Sequence, residues 1–250
     1  MSDVHFEAAS TFPDAAGLAP DKAISLSLSR AIHEHKLSPG IKLGEDELAE
    51  IYGVSRTVVR SALRTLAHHR LVEIKRNRGA FIAQPSPREA REVFEARELL
   101  EPRTAREAAR RATSADAARL RRHIAREHEA SLDGDRGLSL YLSGQLHVEI
   151  ARIAAQDTIT GFIETLIARS SLIVALYWRR ESAICGHHDH ESLVCAIEAH
   201  QPDEAEALMR SHLVDLHSAL DLERPTSVAG SLKERLIYRL GYADFGAIGL

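Results

Sequence analysis

Three arginines, Arg56, Arg60 and Arg64, recur every four residues in the stretch "GVSRTVVRSALRTL" (53–66). That spacing is close to the helical period, so it groups the guanidiniums toward one side of a helix. With Ser55 as N-cap, a helix over 56–68 gathers Val59, Ala62, Leu63 and Leu66 into one apolar stripe. Arg60, Arg64, Thr57 and Ser61 fall opposite the stripe, and Arg56 lies at its border in the first turn. Guanidinium forks bridge guanine or phosphate, and hydroxyls reach phosphates or base edges, so this face suits the major groove of a duplex. An ordinary solvated arginine face would look the same on this helix taken alone.

A second set of residues offers different chemistry. The chain holds 14 histidines, and three of them fall on apolar helix faces. His147 shares a stripe with Leu140, Ser143, Ile150, Ala151 and Ala154; His190 with Leu193, Val194 and Ile197; His212 with Ala205, Leu208, Met209 and Leu216. A buried neutral imidazole needs hydrogen-bond partners. Each one alone fits a satisfied core histidine; three that converge could ligate a divalent metal.

The arginine helix needs elements to hold it. A helix is expected over Asp21–His35, with Ile24, Leu28, Ala31 and Ile32 on one face, and a shorter one at Glu45–Ile51 that Gly53 breaks. The short helix, the tight turn at Tyr52–Gly53 and the arginine helix have helix-turn-helix spacing. Two β-like runs follow, "LVEIK" (71–75) and "AFIAQ" (80–84), joined through "RNRG". Arg76, Asn77, Arg78 and Gly79 would form the tip of a basic wing laid on the duplex backbone or minor groove, with Gly79 taking the unusual backbone angles. From Arg88 onward the pattern is helical, with segments at 88–112, 115–132, 136–155, 158–180, 188–200 and 203–222. Ser114 and Asp157 read as caps, Pro202 opens the last long helix, and His187 and His188 read as loop.

The bulk numbers agree with two folded parts. The 250 residues are 44% hydrophobic and 27% charged, and aromatics are only 5%, a helix-favouring mixture. Between Asp21 and Gln84, 11 Lys and Arg face 7 Asp and Glu, about +4, so with a net charge of −4 the remainder carries about −8. A basic segment on an acidic body points to a polyanionic partner for one part only. Two cysteines, Cys185 and Cys195, suit a reducing cytosol, so a cytoplasmic location is expected. No apolar run approaches the ~20 residues of a membrane helix, so no membrane partner is expected. The first 20 residues do not read as a secretory signal.

The stretch from Leu28 to Ser86 resembles the winged helix-turn-helix of GntR-family transcriptional regulators. It shares the Pro39–Gly40 turn, Glu45 with "ELAE", "GVSRT", Arg60 with Ala62 and Leu63, and the "NRGA" wing. The resemblance implies dimeric binding of a palindromic operator in double-stranded DNA, with Ser55, Arg56, Thr57, Arg60 and Gly79 at DNA-contacting positions. Val58 stands where a proline is usual, and "HHRLV" (68–72) replaces an acidic-Gly pair.

The second half is similar to the FCD ligand-binding domain of the FadR-type branch of that family. The similarity rests on "VFEARELLEPRTAREAA" (93–109), on His147, and on "HESLVCAIEAHQPDEAEALMRSHL" (190–213). It implies an all-helical bundle holding a small carboxylate effector, often on a zinc- or nickel-like divalent metal bound by one Asp and three His. The histidines correspond to His147, His190 and His212. The Asp position is Ser143 here, a weaker ligand, so the imidazoles could also bind the effector directly. Arg97 matches an arginine that faces the effector pocket; it could equally form a helix-surface ion pair with Glu101.

The expected fold is therefore mostly α: a winged helix-turn-helix of three helices plus a β-hairpin wing, then an antiparallel helical bundle. The expected domains are a flexible arm at 1–17, the DNA-binding domain at 18–84, a linker at 85–88, the effector-binding domain at 89–224 and an extension at 225–250. Two other classes compete: a helical metal-dependent enzyme, and a DNA-binding protein whose helical half only dimerises. Against the enzyme, no general-base carboxylate is evident beside the histidines, and "HVEIA" (147–151) lacks the two-histidine spacing of a zinc protease.

Overall fold

The computed structural model describes residues 17–178 and 187–223. The segment 225–250, with the short amphipathic helix expected at 232–240, and nearly all of the arm lie outside these residues. The chain divides into two compact units, with the boundary between Ala83 and Gln84 and with His33–His35 counted in the second.

The first unit is built from α1 (Pro20–His33), β1 (Lys42–Leu43), α2 (Glu45–Tyr52), α3 (Arg56–His68), β2 (Val72–Lys75) and β3 (Gly79–Ile82). Gly53 caps α2 in the left-handed conformation, at φ 63°, which lets the chain turn at once into α3. Val59, Ala62, Leu63 and Leu66 of α3 are buried, as are Ile24 and Leu28 of α1 and Leu48 of α2. Burial of this stripe fixes how α3 is rotated about its axis. β2 and β3 pair antiparallel, and β1 adds a third strand on the far side of β3, Lys42 opposite Phe81. Two residues are too short a run to show a strand period, so β1 was not visible in the sequence. The hairpin turn takes positive φ at both Asn77 (58°) and Gly79 (94°), not at Gly79 alone.

The second unit is all helical: α4 (Pro87–Arg111), α5 (Ser114–Leu132), α6 (Arg136–Ile153), α7 (Asp157–Tyr177), α8 (His187–Glu198) and α9 (Pro202–Ser218). Ser86 caps α4 reciprocally with Glu89, so Pro87 and Arg88 already form its first turn. The α5 cap is Thr113, paired with Asp116, rather than Ser114. Gln156, not Asp157, precedes α7, and His187 and His188 open α8 instead of lying in a loop. α4 packs along α9, α5 along α6, and α8 against α5 and α9. Leu120, Ile124, Leu146, Ile150, Leu193, Ile197, Met209 and Leu213 form the main core between them.

α7 departs from the sequence expectation of no long apolar run. An 18-residue window within its 21 residues reaches a mean hydropathy of 1.6, enough by length and composition to cross a membrane. It packs instead against α4 and α6, burying Ile163, Ile167, Leu172 and Ile173. Half of that window is buried, as suits a core helix of a folded bundle.

Candidate nucleic-acid interface and metal centre

On α3, Ser55, Arg56, Thr57, Arg60 and Arg64 are exposed, as are Arg76, Asn77, Arg78 and Gly79 on the wing. Ser55 sits at the N-cap without a side-chain bond to the backbone, which leaves its hydroxyl off the helix end. Ser61 is half-buried, and its hydroxyl donates to Asp21 at 2.6 Å, so it does not present a free group on the open face. That bond holds the Asp21 carboxyl below the usual range.

Glu45, the first residue of α2, was noted in the sequence only as part of a resemblance. Its Oε2 accepts from Arg60 Nε at 2.8 Å and from Arg56 Nη2 at 3.2 Å. Burial alone would raise the Glu45 carboxyl, but the two guanidiniums outweigh it and hold it below its usual value. Arg60 is thus gripped at Nε, while its Nη groups stay at the exposed end. On the wing, Lys75 and Arg78 lie over the Phe81 ring at 5.2 and 5.9 Å, which braces the basic tip.

In the second unit the three sequence-predicted histidines meet. The nearest nitrogens of His147 (α6), His190 (α8) and His212 (α9) lie within 4.8 Å of one another, and all three residues are buried. The Nε2 atoms of His190 and His212 are 3.2 Å apart. Behind the rings stand carboxylates, of which the sequence points only to Glu101, and to that one as a partner of Arg97. Glu101 Oε2 accepts from His147 Nδ1 at 2.6 Å; Glu127 Oε2 lies 3.0 Å from His190 Nδ1; Asp189 Oδ2 lies 3.6 Å from His212 Nδ1. The sequence shows no general-base carboxylate beside the histidines; three carboxylates do stand there, but all three face Nδ1 and so serve the rings.

Arg97 does pair with Glu101, through Nε at 2.6 Å and Nη2 at 3.3 Å, but the pair is buried rather than on the helix surface. Arg97 Nη2 also lies 3.4 Å from His147 Nδ1. Two donors cannot bond each other, so the 2.6 Å bond to Glu101 decides that Nδ1 carries the proton. Burial raises the Glu101 carboxyl, but Arg97 and His147 overcome this and hold it at about 2. Burial depresses His147 and His212 to about 4. Arg97, Ser143 and His147 all line one cavity of about 590 Å³, counted to its mouth, together with Phe94, Tyr141 and Trp178.

A winged helix-turn-helix followed by a helical bundle with a mainly apolar cavity, into whose lining Arg97, Ser143 and His147 bring polar groups, has the make-up of a DNA-binding module joined to a sensor-like one. Comparison with known proteins agrees. Residues 20–82 match the bacterial regulatory proteins of the gntR family, and residues 92–215 match the FCD domain. The "Uxu operon regulator" of Haemophilus influenzae is 30% identical over 222 residues, covering 79% of this chain and 82% of that one. The "HTH-type transcriptional regulator LutR" of Bacillus subtilis is 28% identical over 211 residues, 76% of this chain and 95% of that one. In fold, the chain is similar to Escherichia coli McbR/YncC, with a TM-score of 0.72 at 19% identity over 80% of this chain and 96% of that one. The chain belongs to the GntR family and carries an FCD domain. It is a transcriptional regulator, not an enzyme.

Proposed function

We propose that this regulator binds a two-fold symmetric operator duplex as a homodimer and that a small organic acid, held in the helical unit, modulates the binding. Residues 18–84 are assigned to DNA and 89–224 to the effector, joined through 85–88, and the protein acts in the cytoplasm. The observation that carries the sensing half is that Arg97, Ser143 and His147 line one cavity, with His147 also one of three converging imidazoles. Galactonate and L-lactate, which appear in the names of two Escherichia coli relatives, the "Galactonate operon transcriptional repressor" and the "Putative L-lactate dehydrogenase operon regulatory protein", are both small hydroxy acids.

The donor set fits a divalent cation of the zinc or nickel kind. Three imidazoles converge; carboxylates at hydrogen-bond distance hold the Nδ1 atoms of His147 and His190, and the Nε2 atoms of His190 and His212 stand 3.2 Å apart in the shared space. His147, His190 and His212 would hold it, and Ser143 lines the cavity beside them with a neutral hydroxyl. Bound there, such a cation supplies a Lewis-acidic seat for a carboxylate. Arg97 orients the acid from the wall it shares with His147.

For the DNA half, Ser55, Arg56, Thr57, Arg60 and Arg64 enter the major groove, and Arg76, Asn77, Arg78 and Gly79 follow the backbone or minor groove. Ser61 joins them only by releasing Asp21. Selection of duplexes from a random library by the purified protein should return two related half-sites in inverted orientation. Arg60→Ala should weaken binding to the selected duplex by at least about tenfold, the worth of one bidentate base contact, with its melting temperature unchanged. Equal affinity in an anisotropy titration would remove α3 from the interface.

A further inference from the structure

The three imidazoles are oriented from behind by carboxylates on three different helices: Glu101 on α4, Glu127 on α5 and Asp189 in the first turn of α8. A carboxylate accepts and does not donate, so the bonds from Glu101 and Glu127 place the protons of His147 and His190 on Nδ1 and leave their Nε2 lone pairs unprotonated, while Asp189 stands 3.6 Å from His212 Nδ1, an ion-pair distance. Glu127 is the clearest of the three. It is 2% exposed, both its oxygens lie 3.0–3.1 Å from His190 Nδ1, and among the described residues its hydrogen bonds go to His190 alone. Glu101 also serves Arg97, and Asp189 is half-exposed at 48%, so their loss would mix several effects.

We propose that Glu127 is a positioning residue: it fixes the Nδ1–H tautomer of His190 and turns its Nε2 toward a divalent cation shared with His147 and His212. This rests on the metal reading of the trio given above. Among the described residues no guanidinium pairs with Glu127, and burying a carboxylate without one opposes folding. A purely structural residue at this place would gain from a neutral, well-packed side chain. A cation on the far side of the imidazole explains the charge, because a carboxylate behind a ligating histidine strengthens its hold on metal.

The test uses the full chain, stripped with chelator and dialysed, with Zn²⁺ as the probe in competition against a chromogenic chelator. Glu127→Gln keeps the shape and one acceptor oxygen but removes the charge. It should weaken zinc binding about 10–100-fold, while the melting temperature of the metal-free protein stays the same or rises. Zinc affinity equal to wild type overturns the proposal, and so does a metal-free variant that melts several degrees lower, since that marks a structural role. His190→Ala separates this from the metal reading itself. If His190→Ala takes up zinc as wild type does, the trio is no metal site and both ideas fall; if it loses zinc while Glu127→Gln does not, only the positioning role falls. Imidazole ¹⁵N spectra of zinc-loaded wild type provide a check that needs no variant: His190 should carry its proton on Nδ1 and zinc on Nε2, and the reverse overturns the proposal.

Discussion

At the scale of single residues, burial decides protonation in the histidine trio. His147 and His212, 2% and 4% exposed, titrate at about 4 when folded, because charging them would put a cation in the core beside other positive groups. Unfolded, they titrate near 6.5. Between those values the unfolded chain binds more protons, so stability rises with pH across the window and is lost as pH falls from 6.5 toward 4. At pH 5 this amounts to about 2 kcal/mol for one such group, and the two are coupled, so the pair yields less than twice that. Glu101 adds a second, lower window: its folded value near 2 against 4.5 gives stability that is present above 4.5 and lost below it. Urea unfolding in chelator should therefore show a loss of about 2–4 kcal/mol between pH 7 and 5, partly removed in His212→Gln. A profile flat over that interval would contradict the burial argument. Glu101 and Glu127 were within reach of the sequence. Glu127 lies three residues after Ile124 and seven after Leu120, on the buried stripe of α5, and Glu101 follows Phe94 by seven on α4. An acid on an apolar stripe signals a buried partner. Asp189 gave no such signal, since it lies exposed in the first turn of α8 beside His190.

At the scale of elements, the helices were legible because apolar periodicity survives in one sequence. α3 matches its expected span of 56–68, and the bundle helices agree to within a few residues. What failed were features set by partners. The α5 cap went to Thr113 because its hydroxyl and backbone amide both bond Asp116. The buttress of the recognition helix was missed because Glu45 belongs to the preceding helix. That buttress makes its own prediction. By accepting from Arg60 Nε and Arg56 Nη2, Glu45 holds two flexible side chains in place, and with α3 in the groove as proposed it would set one negative charge near the phosphates. Glu45→Gln should raise affinity for unrelated duplex DNA while lowering the ratio of operator to unrelated binding about five- to tenfold, or ~1 kcal/mol of discrimination. Competition with unrelated DNA at two salt concentrations measures both quantities. An unchanged ratio would make Glu45 an ordinary surface ion pair.

At the scale of the whole molecule, the two units carry separate chemistry, and their energetics should separate as well. A ligand that binds only the folded state raises stability by RT ln(1 + [L]/Kd), so Zn²⁺ at about a hundred times its dissociation constant adds roughly 2.7 kcal/mol. His212→Ala should lose that increment and also any further increment from a hydroxy acid such as L-lactate or galactonate, because the acid's seat goes with the imidazole. In the absence of zinc and acid it should still bind the operator duplex as wild type does. Arg60→Ala should do the opposite, keeping both ligand increments while operator affinity falls. Substitutions on non-contacting sites add in stability to within a few tenths of a kcal/mol, so the double variant should combine both losses with no extra term. Thermal shift with zinc, with acid and with both, run beside anisotropy on the same four proteins, gives every quantity needed. The effector itself acts only through its difference in affinity between DNA-bound and free protein. An acid that stabilises wild type should therefore also shift operator affinity, in one direction or the other, by ~1–3 kcal/mol, and that shift should vanish in His212→Ala. An acid that binds and stabilises yet leaves operator affinity unmoved would show that the cavity does not report to the DNA-binding unit.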